Sequence, residues 1–316
     1  MRPLATLLLA VLVVPALTAQ SSAPRGSWTQ KAMLNELRHE PGAAVVNGKL
    51  YVLGGMARGQ DANPINEVYD IRSNTWSEGA PMPGPLSHPA VVTLNNRIYV
   101  VGGFLRNVHL DAQDRAFEFT PATNTWRTLT PMKAPRGSVG LAVVDGKLHA
   151  IGGRDVNRVT QNTHEVYDPR TNQWTDAPPL PQPRDHTYTV AVGRQIHVIG
   201  GRLNTPLENV NTHDIFDTRT NRWSSGPPLP TPRSGGGAIL YKGLIVVLGG
   251  ECDNGRPFAT NEAFDPRTNR WTTLAPMPSG RHGIMAAADG EQLYMPGGAP
   301  QCATAQSNTL QVFRLP

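Results

Sequence analysis

Short apolar runs in this chain come in pairs, each pair divided by two polar residues. In "PGAAVVNGKLYVLGG" two such runs flank Asn47-Gly48, and equivalent divisions fall at Asn95-Asn96, Asp145-Gly146 and Asp289-Gly290. Four or five apolar residues are too few for a helix, and a Gly/Asn/Asp pair between them is a hairpin signal. A Gly-Gly pair follows, then a polar loop, then a third run such as "NEVYDI". A Pro/Asn/Asp-rich turn ("DPRTN" in the third copy) leads to a fourth, "TWSEG". The predicted unit is a four-stranded antiparallel sheet.

The unit repeats. Tryptophans stand at 28, 76, 126, 174, 223 and 271, and the first glycine of a Gly-Gly pair lies 26 residues after every one. An aromatic residue precedes each later Trp by seven: Tyr69, Phe119, Tyr167, Phe216 and Phe264. Landmarks held in phase over six periods of about 49 residues mark an internal array. A four-stranded sheet cannot cover both its faces alone, whereas six stacked around an axis can. The glycines would admit a close backbone approach that a side chain would block. The last copy ends three residues after Phe313, too soon for its own Trp, and Trp28 has no three strands before it. The strand at Trp28 is therefore expected to complete the C-terminal sheet.

These residues resemble the kelch repeat: Tyr51, Tyr99 and Tyr294 just ahead of Gly-Gly, then an aromatic and a Trp seven apart. The resemblance covers residues 27–316 and implies an all-β, six-bladed kelch β-propeller with four antiparallel strands per blade. Family resemblance also implies that the loops entering the inner strands and the loops after Gly-Gly open on one face, where function should be sought. Kelch-like proteins commonly bind partners there. N-acetylneuraminate epimerases are similar six-bladed rings, so a sialic-acid epimerase or mutarotase is the alternative, although long enclosing loops are lacking here. Galactose oxidase is a further relative, but no tyrosine stands among the mouth positions, so neither copper nor another cofactor is expected.

Composition adds a compartment. "MRPLATLLLAVLVVPALTAQ" has a basic start, a short apolar run and small residues near Ala19, which reads as a signal peptide over 1–19. A linker over 20–26 and one domain over 27–316 follow. The mature protein is expected to be exported, periplasmic or extracellular, a monomer with no membrane insertion. Cys252 and Cys302 fall on corresponding loops of neighbouring blades and suit a disulfide in that setting. The net charge of +5 is spread without dense Lys/Arg runs, which argues against nucleic acid.

Alignment on Trp supplies the candidate site. Ten residues on lie Arg38, Leu86, Arg136, Arg184, Arg233 and Arg281, and Arg58, Arg106, Arg154 and Arg202 follow the Gly-Gly pairs. A residue recurring at fixed phase suits a scaffold role, bonding to carbonyls. The others suit an electropositive funnel for an acidic glycan or an acidic protein segment, since guanidinium pairs bidentately with carboxylate. His39 and His282 are further candidate ligand contacts. His88 is one position out of phase and, on an extended chain, would turn away from them, so no metal is expected. His149 and His197 stand where other copies have Tyr and read as core. Glu251, beside Arg-rich loops, is the candidate general base; Asp155 and Asp253 are the other acids there.

Overall fold

The computed structural model describes residues 25–57, 61–106, 109–204, 208–303 and 305–316. The expected signal peptide, Arg58 and the side chain of Asp253 lie outside the described residues. Six four-stranded antiparallel sheets form a ring of blades. Blade 1 consists of Gly42–Val46, Lys49–Leu53, Asn66–Asp70 and Thr75–Glu78, from the axis outward. Blades 2 to 5 begin at Ala90, Gly140, Tyr188 and Gly237 with the same strand order.

Blade 6 closes the ring as the missing strands require. Ala287–Ala288, Leu293–Pro296 and Leu310–Arg314 are completed by Ser27–Gln30, with Trp28 opposite Phe313. Their ring centroids are 4.9 Å apart. The disulfide Cys252–Cys302 joins the loops of blades 5 and 6 across 50 residues, with Cα atoms 5.7 Å apart. A loop that long is worth about 4 kcal/mol in the chain-entropy account.

The repeated nonapeptide stitches blades together. Its Asp carboxylate caps the turn, as where Asp168 Oδ1 accepts from the Arg170 amide. Its Asn adopts the left-handed conformation five times, at Asn74, Asn124, Asn172, Asn221 and Asn269 (φ 54–58°), a region Asn tolerates better than most residues. The Asn74 Oδ1 accepts from the Ala32 amide of the preceding blade's exit and from the Tyr69 hydroxyl. Every Trp indole donates to such an exit: Trp76 to Ala32, Trp126 to Ala80, Trp174 to Thr130, Trp223 to Pro178, Trp271 to Pro227 and, across the seam, Trp28 to Ala275. The innermost strands surround an axial channel of about 280 Å³ lined by small and β-branched residues such as Ala43, Val91 and Ala142.

Candidate functional site: the mouth of the axial channel

Three layers of side chains, each at one phase of the repeat, build the mouth. The innermost comes twelve residues after Trp: Glu40, His88, Ser138, His186, Gly235 and Gly283. All six are left-handed, with φ between 52° and 63°. Each amide donates to the carbonyl of its counterpart one blade back, from His88 to Glu40 around to Glu40 to Gly283, at 2.7–3.4 Å. A closed collar of backbone hydrogen bonds thus rims a pocket of about 80 Å³. The energetic cost of four non-glycine residues in that conformation is offset by contacts the collar alone permits.

One residue earlier, the chain pairs with the first residue after Gly-Gly of the same blade. His39 exchanges backbone bonds with Met56, Ser87 with Phe104, Gly137 with Arg154, Asp185 with Arg202 and His282 with Ala299, while the Glu251 amide donates to Ser234. That third layer is apolar on blades 6, 1 and 2 (Ala299, Met56, Phe104) and charged on blades 3, 4 and 5 (Arg154, Arg202, Glu251). Asp185 is the centre of the charged half. It accepts from Arg154 Nε at 2.6 Å, Arg202 Nε at 2.8 Å and His186 Nδ1 at 2.5 Å. Arg202 also donates to Glu251 at 2.8 Å and lies 3.1 Å from His109 Nε2 and 3.2 Å from His186 Nε2.

The phased arginines take the scaffold role rather than that of ligand contacts, and among the described residues the other arginines form no free funnel. Arg38, Arg136, Arg184, Arg233 and Arg281 are at most 1% exposed. Each donates to the carbonyl of the first Gly of the Gly-Gly pair ahead of it: Gly54, Gly152, Gly200, Gly249 and Gly297. Each also meets a third-strand acceptor, Glu67, Glu165, Asp214, Glu262 or Gln311. They brace blades and present nothing to a ligand. Arg154 and Arg202 do reach the mouth, but Asp185 and Glu251 neutralise them. Arg106 is exposed and pairs with Asp111 on its own hairpin. Charge therefore does not single out an acidic ligand.

His88 also departs from expectation. Alternation of sides holds for an extended chain, whereas His88 and Glu40 are left-handed, so both turn into the mouth. Glu40 Oε1 lies 3.3 Å from His39 Nε2 and 3.4 Å from His88 Nε2. Burial alone would raise Glu40, but these imidazoles hold it well below the usual carboxylate range. Burial likewise favours neutral His109, which is pushed well below its ordinary value, helped by His88, His186 and Arg202. His109 had no signal in the repeat, since it sits on the hairpin Phe104–Arg106/Leu110–Ala112 that leans from blade 2 across to blade 4. Glu40, Asp185, Ser138 and His186 were visible only as aligned positions.

Catalytic readings are constrained by partners. Burial would raise Glu251, but Arg202 overcomes it and holds the carboxylate below its usual value, which makes a weak base. Ser138 Oγ lies 3.1 Å from His186 Nε2, and Asp185 orients the other ring nitrogen, the order of a nucleophile, base and orienting acid. Arg202 competes for the same Nε2. The Ser138 and His186 amides beside it are spent on the collar rather than on an oxyanion. His149 and His197 are buried, each bonded to a third-strand histidine, His164 at 3.0 Å and His213 at 2.9 Å.

The family described as the KLHDC2/KLHL20/DRC7 Kelch-repeats domain matches residues 25–187 and 90–298. Mouse Kelch-like protein 35 is 28% identical over 139 residues, 41% of this chain and 21% of that protein. Danio rerio Kelch-like ECH-associated protein 1A is 31% identical over 105 residues, 33% of this chain and 17% of that one. Kelch-like protein terF of Aspergillus terreus is 30% identical over 131 residues, 39% and 28%. The chain thus spans less than a third of these relatives' length. The solved structure of YjhT superposes with a TM-score of 0.75 at 17% identity, covering 89% of this chain and 96% of that one, a likeness of fold.

Proposed function

Since the chain belongs to the kelch-repeat family, we propose that it is a binding module whose ligand is a protein segment docked over the loop face of blades 2 to 4. One observation carries this reading: exposed apolar side chains stand on the segments after Gly-Gly, Leu110 on the blade 2 hairpin and Val156 and Val159 on the blade 3 loop. The pocket of about 80 Å³ within the collar and the axial channel of about 280 Å³ behind it each fall below the ~300–1,000 Å³ of sites that enclose small molecules. Apolar rim contacts with a polar centre suit a polypeptide laid across the opening, one polar side chain reaching in. One relative carries association with another protein in its name.

Export fits the same reading. A Cys252–Cys302 disulfide suits an oxidising compartment, and the N-terminal residues read as a signal. N-terminal sequencing of protein secreted from its host should find a start near residue 20. A protein retaining Met1 in the cytoplasm would contradict it.

A peptide-display selection on immobilised protein tests the docking. Enriched peptides should lose at least tenfold in affinity for Leu110→Asp/Val156→Asp/Val159→Asp and change little between low and moderate salt, as apolar contacts require. Acidic glycans bound on an array with no peptide enriched, or peptides indifferent to the rim variant, would overturn it.

A further inference from the structure

Three metal-ligating side chains converge at the seam side of the mouth, where blades 6 and 1 meet: His39, Glu40 and His282. We propose that they form a binding site for one divalent transition-metal ion, of zinc type. His39, Glu40 and His282 each offer a ligand atom within 4.8 Å of the other two. Glu251 comes that close to Glu40, but alongside His186, so it stands beside the site and a water would complete the tetrahedron. A tetrahedral ion with bonds of about 2.0–2.2 Å needs ligand atoms ~3.4 Å apart, so side-chain shifts of about an ångström close the site.

Three further observations point to a ligand there. His39 and His282 are 5% and 3% exposed, yet Nδ1 of each lacks a hydrogen-bond partner, while His39 Nε2 meets only Glu40 Oε1 at 3.3 Å. Buried imidazole nitrogens without partners are costly unless something binds them. His282 is also oriented as a metal ligand is: its Nε2 lies 3.1 Å from the Gln301 carbonyl. Donation there fixes the tautomer that leaves a lone pair on Nδ1. Finally, the collar is glycine where space is needed. A Cβ on Gly283 would sit 2.5 Å from His39 Nε2 and 2.6 Å from Glu40 Oε1, and one on Gly235 would sit 2.6 Å from Glu251 Cγ. The other four blades carry side chains at that position.

The neighbouring histidine trio, His88, His109 and His186, also lies within 4.8 Å, but Arg202 Nη2 already stands between two of its nitrogens. A guanidinium there repels a cation. At the seam, Arg202 is held away by its bond to Glu251, and Glu40, whose contacts are imidazoles, supplies the opposite charge. Two imidazoles with carboxylate oxygen suit zinc and its first-row neighbours rather than calcium or magnesium. The disulfide flanks the site directly, since Glu251 precedes Cys252 and Gln301 precedes Cys302. A bound ion would tie blade 1 to blade 6 across the closure.

Metal titration of the intact, oxidised protein tests this, with Zn2+ followed by calorimetry and Co2+ by visible absorption. The expected result is one ion per chain, at least 100-fold preference over Mg2+, and a Co2+ spectrum without thiolate charge transfer, both cysteines being in the disulfide. His39→Gln and His282→Gln should each weaken Zn2+ binding at least 30-fold, with near-ultraviolet circular dichroism confirming the fold. Absence of binding by wild type at millimolar Zn2+, retention within threefold in both variants, or loss with His109→Gln instead would each overturn the assignment. If the variants misfold, the wild-type stoichiometry and 113Cd chemical shift decide: a shift outside the range for nitrogen and oxygen ligands counts against it.

Discussion

Blade 4 and blade 2 fill the same space with opposite chemistry. In blade 4, Arg184 runs under the entering loop to the Gly200 and Thr212 carbonyls and to Asp214. At the matching positions blade 2 has Leu86 and Phe117, both buried in one apolar cluster. Glu118, one residue on, faces the other side and is met by Arg97 and Arg127 near the surface. An ion pair and a hydrocarbon pair are thus interchangeable at this point of the ring. The comparison teaches that the recurring arginine is a brace, replaceable if its acid changes with it.

The sharpest way to break the comparison is to move blade 4 halfway toward blade 2. Arg184→Leu strands a buried Asp214 and two carbonyls, and should cost about 3–5 kcal/mol in denaturant unfolding. Burial already raises the Asp214 pKa, with Arg184 opposing it, so the stranded acid takes up a proton. Arg184→Leu/Asp214→Phe should recover most of the loss, to within about 2 kcal/mol of wild type, the remainder being the unpartnered carbonyls. A double variant as unstable as the single would show that blade 2 depends on some other adjustment.

The same pairings explain what could be read beforehand. Gly-Gly, Trp and the aromatic seven before it each have a job no other residue does, so their phase disclosed six blades and the seam at Trp28. The phased arginines were legible as braces for the same reason. The mouth was not, because its partners come from different blades and different phases. Asp185 sits next to a brace in sequence yet collects Arg154 and Arg202 from two blades. His109 meets Arg202 from 93 residues away. A count of arginines near an opening says nothing of the carboxylates that neutralise them.

Blades 3 and 4 differ from blade 1 in a second way, and pH reads it. Blade 1 has Tyr51 and Asn66 where they have His149/His164 and His197/His213. The Asn66 amide donates to the Ala80 carbonyl, and His164 Nδ1 and His213 Nδ1 lie 3.1 Å and 3.0 Å from the equivalent Pro178 and Pro227 carbonyls. Burial pushes His164, His197 and His213 down to about 4 and His149 to about 3. The unfolded chain, with histidines near 6.5, binds more protons than the native state between those values. Stability from these pairs is therefore complete above about pH 6.5 and lost as pH falls toward 4, at most about 3 kcal/mol per histidine. Replacing blade 3's pair by blade 1's, His149→Tyr/His164→Asn, should flatten part of that fall. An unchanged profile would place the acid sensitivity elsewhere.

The smallest expected effect concerns the seam against an ordinary junction. Trp28 and Trp76 do the same work in different settings: one donates across the point where the chain's two ends meet, the other within a continuous run. Their indole bonds, 3.1 Å to Ala275 and 2.8 Å to Ala32, are alike in kind. Both rings lie against an aromatic of the adjacent strand, with centroids 4.9 Å and 5.1 Å apart. Trp→Phe keeps most of the ring packing and removes one hydrogen bond, so each variant should lose about 1 kcal/mol. Equal losses at 28 and 76 mean that closure is as firm as any junction. If Trp28→Phe alone opens the ring, proteolysis will nick the N-terminal strand first and the unfolding transition will split in two. Blade 6 would then be the part that unfolds before the rest, held to blade 5 by its disulfide alone.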